Sequence, residues 1–412
     1  MNRYAEILID MISNAVDRPF HYRIPPEMLN NVIPGVKVTV PFGRRRCLGY
    51  VLRVLDHTSV ENLRDITAVN DPEPLLTAEQ LALVHWLTMH CYCRKIDALH
   101  ALLPASLRRG GNPLKIEMLE LTAQARETDL NRAPAQQKAV RLLEEKGPLH
   151  RRELARLGIS AAVIRSLEEK NLLRKSLVLS VPQRKTSEIN STVPRVLGEA
   201  QAECFNHICR AIEEPFPQRI LLHGITASGK TEIYLQSIAR CLELGKKALI
   251  LVPEISLTPQ MIEHFAGRFP GRIAVLHSRL RGAEKNRQWQ MILSGEALVV
   301  LGARSAVFAP LTDIGLIVID EEHETTYKQE EAPRYHARDV AWWRARRHRA
   351  VLLLGSATPS LESYYQASTG QSLLLSMKER VTPTQLPPVA VVDMRNELKE
   401  GHRHIFSRLL LS

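Results

Sequence analysis

A chain of 412 residues is long enough for several domains, each with its own core, and 45% hydrophobic with 24% charged residues excludes an extensively disordered protein. Lys and Arg number 55 against 44 Asp and Glu, a formal charge of +11 that favours a polyanionic partner: nucleic acid first, a membrane surface as the competitor. No run of about 18 apolar residues exists, and Met1 to Asp10 reads as an acid-containing strand, so neither a spanning helix nor a secretory leader is expected and the expected location is the cytoplasm.

From Tyr4 to Val54 short apolar runs (Ile7 to Ile9, Val36 to Val40, Leu48 to Leu52) alternate with turn signals at Pro25-Pro26 and Pro41-Phe42-Gly43. That spacing predicts a small β-rich barrel or sandwich. Leu81, Val84 and Leu87 give Thr77 to Met89 a helical period, and Arg108-Arg109-Gly110-Gly111 closes a first domain over 1–111. Residues 112–181 change character. Helices are predicted over Pro134 to Glu145, Arg151 to Leu157 and Ser160 to Lys170, with Ser160 as N-cap and Leu172 to Val181 as a short β hairpin, the order of a winged helix that serves either DNA or protein contact. Residues 182–196 are polar and without periodicity, a linker. Residues 197–412 then alternate apolar strands (Ile220 to Leu222, Ala248 to Val252, Ile273 to Leu276, Ala297 to Leu301, Leu316 to Ile319, Ala350 to Leu354) with helix-length segments, which predicts an α/β domain with a mostly parallel sheet covered on both faces. Cys47, Cys91, Cys93, Cys204, Cys209 and Cys241 form no Cys-x-x-Cys pair and read as reduced thiols, with no zinc ligands expected in this chain.

Three segments carry chemistry. Gly224-Ile-Thr226-Ala227-Ser228-Gly229-Lys230-Thr231 follows an apolar strand and opens a helix. Its backbone amides can close around phosphates, Lys230 can neutralise them, and Thr231 can hold Mg²⁺, the pattern of an ATP site. Leu316 to Ile319 runs into Asp320-Glu321-Glu322-His323, placing carboxylates at a strand's carboxyl end; Asp320 suits Mg²⁺ and Glu321 suits orienting and deprotonating a water. After the strand Val351 to Leu354, Ser356 and Thr358 of Gly-Ser-Ala-Thr-Pro are placed to sense a terminal phosphate and couple its state to a bound strand.

In this order the three segments resemble the superfamily-two helicases. "VPEISLTPQ" (Val252 to Gln260), "LGARSAVFAP" (Leu301 to Pro310), "DEEHETTYKQEEAPRYHARDVA" (Asp320 to Ala341) and "VPFGRRRCLGYV" near the front are similar to the primosomal N-prime family of replication-restart helicases. The resemblance implies a three-prime-end DNA-binding domain, a winged helix and a RecA-like helicase lobe. It implies an ATP-dependent three-prime to five-prime DNA helicase that recognises forked DNA and restarts stalled replication by primosome assembly, with primosome proteins and single-stranded DNA-binding protein as partners and no membrane partner. Tyr327, Lys328, Tyr335 and His336 correspond to an aromatic-rich loop on which bases stack, unless the tyrosines pack locally. Arg304 and Ser305 fall where the family meets the DNA backbone, although Arg304 also suits a surface ion pair. Gln201 fits an adenine-sensing glutamine. In the front domain Phe20, Arg44 and Arg45 (with Arg46) are implied DNA contacts, the arginines doubling as an ordinary solvated turn. His21 departs from the family's Asp, which puts base-edge contacts in question, and Ala303 departs from a usual Thr.

The family's second lobe, its arginine finger and its zinc-ligating cysteines have no counterpart before Ser412. The expectation is therefore a partial chain that binds DNA and weakly binds ATP with little turnover, zinc belonging to the full-length family. Two other readings stand beside the motor: a fork-DNA-binding module with an inactive ATP site, and a double-strand translocase, which leaves the front domain unexplained.

Overall fold

The computed structural model describes residues 3–70, 73–108, 115–122, 125, 133–179, 192–214, 216–381 and 388–412. In the front domain β1 (Arg3–Ile9), β2 (Pro19–Ile24), β3 (Lys37–Phe42), β4 (Arg45–Leu55) and β5 (Ala68–Val69) form one antiparallel sheet in the order β2-β1-β4-β3-β5. Apolar side chains alternate inward along it, burying Ile7, Val38, Val40 and Val51. The segment leading into β5 also bonds to the other edge strand, the Arg23 amide of β2 donating to Arg64 O at 2.9 Å and the Ile66 amide to Arg23 O at 3.1 Å, so the sheet closes on itself as the small barrel expected. It includes β2, whose Phe-His-Tyr-Arg centre hides the alternation: Tyr22 and Ile24 are buried and Arg23 is exposed.

Helix Ala78–Cys91 starts where expected because Thr77 and Gln80 cap each other reciprocally, the Gln80 amide to Thr77 Oγ1 at 3.2 Å and the Thr77 amide to Gln80 Oε1 at 3.0 Å. Helix Lys95–Leu102 lacks a cap of its own, and Asp17 supplies one from the sheet, accepting from the amides of Lys95 (3.0 Å) and Ile96 (3.3 Å). A short helix, Ala105–Arg108, follows. The expected break at Arg109 to Gly111, and with it the domain boundary, lies outside the described residues.

The second unit pairs β6 (Lys115–Leu121) with β7 (Leu149–His150) and β8 (Leu173–Leu179) around helices Pro134–Lys146, Arg151–Arg156 and Ala161–Glu169. Ser160 caps the third helix, accepting from the Val163 amide at 3.4 Å. The local hairpin expected over Leu172 to Val181 is corrected: β8 pairs antiparallel with β6, on the far side of all three helices in sequence. Such a pairing is decided by the shared core of Leu119, Leu143, Leu154 and Leu167, which no local pattern reveals.

The lobe holds β9 (Gln218–Gly224), β10 (Lys247–Leu251), β11 (Ile273–Leu276), β12 (Val299–Gly302), β13 (Ile314–Asp320), β14 (Val351–Ser356) and β15 (Leu373–Met377). Among the described residues they make a parallel sheet in the order β11-β12-β10-β13-β14-β9-β15, its strands buried on both faces as the continuous apolar runs require. Edge strand β15 escapes the sequence pattern because only Leu375 and Met377 of it are buried. Residues 182–191 of the expected linker are outside the described set, whereas Thr192 and Arg195 are tied to the lobe, their amides donating to Gly267 O (3.1 Å) and Glu232 Oε1 (3.2 Å).

Front domain and lobe share one apolar cluster, in which Leu83, Leu87 and Leu99 join Phe308, Val340 and Ala341. Within it Arg344, 1% exposed, donates Nε and Nη2 to the two oxygens of Glu79 at 2.8 and 2.9 Å, and its remaining donors reach Val307 O (2.9 Å) and Leu311 O (3.0 Å). Burial pushes the Glu79 carboxyl up, but the Arg344 charge, the His348 ring nitrogen 3.1 Å away and the Arg344 bonds outweigh that and hold it at about 2. Glu79→Gln strands a buried guanidinium and should cost about 3–5 kcal/mol, read by chemical denaturation. Because the folded value is depressed, the pair's stabilisation is complete above the unfolded carboxyl's ordinary value near 4.5 and is lost as pH falls from there towards 2. The Gln variant should lose that part of the acid-side stability slope.

Candidate active site

Strands β13, β14 and β9 are neighbours, so their carboxyl ends bring Asp320, Ser356 and Gly224 to one sheet edge. Leaving β9, the chain turns through Ala227 (φ 64°) and Gly229 (φ 86°) into helix Lys230–Glu243. Gly229 is required twice over: its φ is left-handed, and a Cβ there would stand 2.1 Å from Gln201 Nε2. Gln201 is fastened to this loop, donating to Ser228 O at 2.9 Å while accepting from the Gly198 amide at 2.9 Å. Lys230 Nζ donates to Gly224 O at 2.8 Å and lies 4.0 Å from Glu321 Oε1. The phosphate-loop lysine and the acid pair therefore face one another across the sheet edge.

Asp320 is held by a residue that sequence reasoning missed. Tyr234, one turn into the loop's helix and fully buried, donates its hydroxyl to Asp320 Oδ1 at 2.9 Å. Its path crosses Gly355 of β14, where a Cβ would lie 1.7 Å from the Tyr234 hydroxyl oxygen. Burial, then the neighbouring Glu321 charge, push the Asp320 carboxyl above its ordinary value against the Tyr234 bond and Lys230. Glu321 has φ 43°, a left-handed conformation that turns the chain out of the strand. Glu322 faces the other way: 2% exposed, it accepts from Arg338 Nη1 (2.9 Å), the Ser360 amide (2.7 Å) and Ser363 Oγ (2.8 Å). His323 Nδ1 lies 2.7 Å from Ser356 Oγ, which also accepts from the Thr358 amide at 3.0 Å. Tyr234, His323 and Arg338 gave no signal beyond standing inside or beside the motifs.

The residues fit a Mg²⁺-nucleotide. Ser228 is 2% exposed and its Oγ has no partner, and Thr231 and Asp320 supply the one hydroxyl and one carboxylate that Mg²⁺ takes beside phosphate oxygens.

The residues expected at nucleic acid gather on two other surfaces. Arg304 Nη1 donates to Thr326 O (2.9 Å) and Lys328 O (2.8 Å), bracing the aromatic-rich loop instead of pairing with an acid, and Ser305 is exposed beside it. Tyr327 is 1% exposed and donates to the Asp320 carbonyl at 2.7 Å; Tyr335 is buried edge-on against Phe308 at 4.8 Å, so both rings pack locally here. His336 caps helix Ala337–His348, and Lys328 is exposed with Nζ on Arg334 O at 2.9 Å. A cavity of about 930 Å³ lies before this loop, lined by Arg304, Lys328 and Arg338 but also by Glu254, Glu324 and Glu330. In the front domain Arg44 and Arg45 are exposed at the β3–β4 turn. Phe20 packs edge-on against Phe42 at 5.1 Å with Arg18 over its ring, and His21 Nδ1 is bonded to Thr58 Oγ1 at 2.6 Å.

Residues 6–104 match the family model for a 3′ DNA-binding domain, and residues 199–367 match that for DEAD/DEAH box helicases. The chain is 37% identical to the replication restart protein PriA of Bacillus subtilis (98% of this chain, 59% of that protein), 31% to that of Chlamydia pneumoniae (99% and 55%) and 32% to that of Haemophilus influenzae (92% and 53%). It thus spans between half and three-fifths of these relatives' length. Among solved structures, RecG bound to a three-way DNA junction aligns with 54% of this chain and 29% of its own, at 21% identity and TM-score 0.37. With its two recognised domains in the same chain as these long matches, the protein belongs to the replication restart protein PriA family.

Proposed function

We propose that the chain carries the ATP-binding lobe and the DNA-end-binding domain of a helicase that unwinds forked DNA in the three-prime to five-prime direction and restarts stalled replication by primosome assembly. In this reading, primosome proteins and single-stranded DNA-binding protein are its partners. One observation carries it: Lys230 and Glu321 stand 4.0 Å apart on one sheet edge, with Asp320 beside them held by Tyr234. The family matches to a 3′ DNA-binding domain and a helicase support the choice of substrate.

Bound Mg·ATP supplies the phosphoanhydride whose cleavage drives movement. The amides of Thr226, Ala227 and Gly229, the Ser228 hydroxyl and the Lys230 ammonium would bind the phosphates, and Gln201 braces the loop through Ser228 O. Thr231 and Asp320 would hold the metal. Glu321 orients a water and accepts its proton, and Ser356, tied to His323 and Thr358, relays the state of the site to the loop at Arg304 and Lys328. The other reading, a fork-binding module with an inactive ATP site, makes the opposite prediction about nucleotide response.

Removing the ammonium by Lys230→Ala should cost about 1.5–3 kcal/mol of Mg·ATP affinity, measured by anisotropy of a fluorescent analogue. DNA affinity of the unaltered chain should change on adding Mg·ATP, and that of the variant should not. If neither responds, the motor reading fails and the binding-module reading stands. Tyr234→Phe should leave DNA affinity intact, raise several-fold the Mg²⁺ needed for half-maximal nucleotide binding, and move the acid limb of that binding to higher pH. The direction follows because the lost bond is one that favours ionised Asp320.

A further inference from the structure

The seam between front domain and lobe encloses a cavity of about 240 Å³, lined by His100 and Arg108 from the front helices and by His277, Lys285, Trp289 and Ser305 from the lobe. Ser106 and Asn286 are hydrogen-bonded across this seam. Among the described residues no carboxylate lines the cavity. Asp10 stands behind its wall, bonded to His100 at 2.7 Å and within electrostatic reach of Arg108. Trp289 is 3% exposed and its Nε1 has no partner; Arg108 Nε is likewise buried without one, as is Nδ2 of the adjoining Asn286. Buried donors left without acceptors are costly, and a cavity lined by two residues that carry them, Arg108 and Trp289, together with cationic side chains suits a ligand that only accepts and is negative. A second cavity of about 300 Å³ shares His100, Ala101 and Ser305 with the first and reaches Arg304. The two adjoin at those residues, and Asp97, which lines the second, is already paired with Arg94 at 2.7 Å.

We propose that this seam is a phosphate-binding groove in which Arg108 and Lys285 hold the backbone of a single nucleic-acid strand as it passes between the front domain and the lobe. The inference rests on DNA being the substrate and adds a grip that lies outside the phosphate loop and the aromatic-rich loop.

The test is anisotropy of a labelled single-stranded oligonucleotide over a salt series, using the full chain and its Arg108→Gln, Lys285→Gln and double variants, with inorganic phosphate titrated separately as the small-anion probe. Each single variant should bind the strand several-fold more weakly and the double variant about tenfold or more, with the salt slope falling by about one for each phosphate contact removed. Nucleotide affinity should be unchanged. Arg108→Lys and Lys285→Arg, which keep the charge, should restore binding, and this separates loss of charge from loss of fold. Variants that match the unaltered chain in affinity and slope overturn the groove while leaving the DNA reading intact. Loss of inorganic phosphate binding alone, with strand binding unaltered, also overturns it. An unaltered chain that binds no strand overturns both.

Discussion

The bond from Tyr234 to Asp320 is the contact on which the site's geometry turns. It ties the helix that opens at the phosphate loop to the strand that ends in the acids, and it passes over β14 only because residue 355 has no side chain. Three separate motifs are thereby drawn to one point: the loop through the helix it starts, the acid pair through Asp320, and the Ser-Ala-Thr segment through the strand that carries Gly355. A buried carboxylate pressed upward by desolvation and by an adjacent acid is also a group that gains from a cation, and the Lys230 charge already acts on it in that sense.

From that point the architecture extends outward along one helix. Ala337–His348 carries Arg338 in its first turn, bonded to Glu322 beside the acid pair, and Arg344 further along, bonded to Glu79 of the front domain. The acid strand and the front domain cannot shift against each other without breaking a buried, charged contact. Breaking either contact exposes the cost of an unpaired internal charge, which is larger than the net worth of the intact pair. The same helix begins at His336, the end of the aromatic-rich loop, so nucleotide site, loop and front domain share a single rigid element.

The loop shows how one residue type can serve two ends. Tyr327 and Tyr335 were readable as stacking platforms, yet their rings are packed inside, with Tyr327 bonded to the Asp320 carbonyl. Buried in this way, Tyr327 ties the loop to the acid strand and Tyr335 ties it to Phe308. Lys328 and Ser305 remain at the surface, beside Arg304, where a backbone phosphate can reach them.

What the sequence determined on its own was whatever is written contiguously. The phosphate loop, the apolar run ending in Asp320-Glu321, the capped helices after Thr77 and Ser160, and six of the lobe's strands depend on neighbours a few residues apart, and periodicity and capping chemistry make them legible. Tertiary structure decided the rest: the pairing of β8 with β6, the Tyr234 to Asp320 bond, the Arg338 and Arg344 contacts, and the cationic seam between domains. Each joins residues from distant segments, and a lone Tyr or Arg carries no mark of the partner it will meet. Only the closing of the sheet, with the helices packed against it, creates the desolvated surroundings in which those pairings become worth more than contact with water.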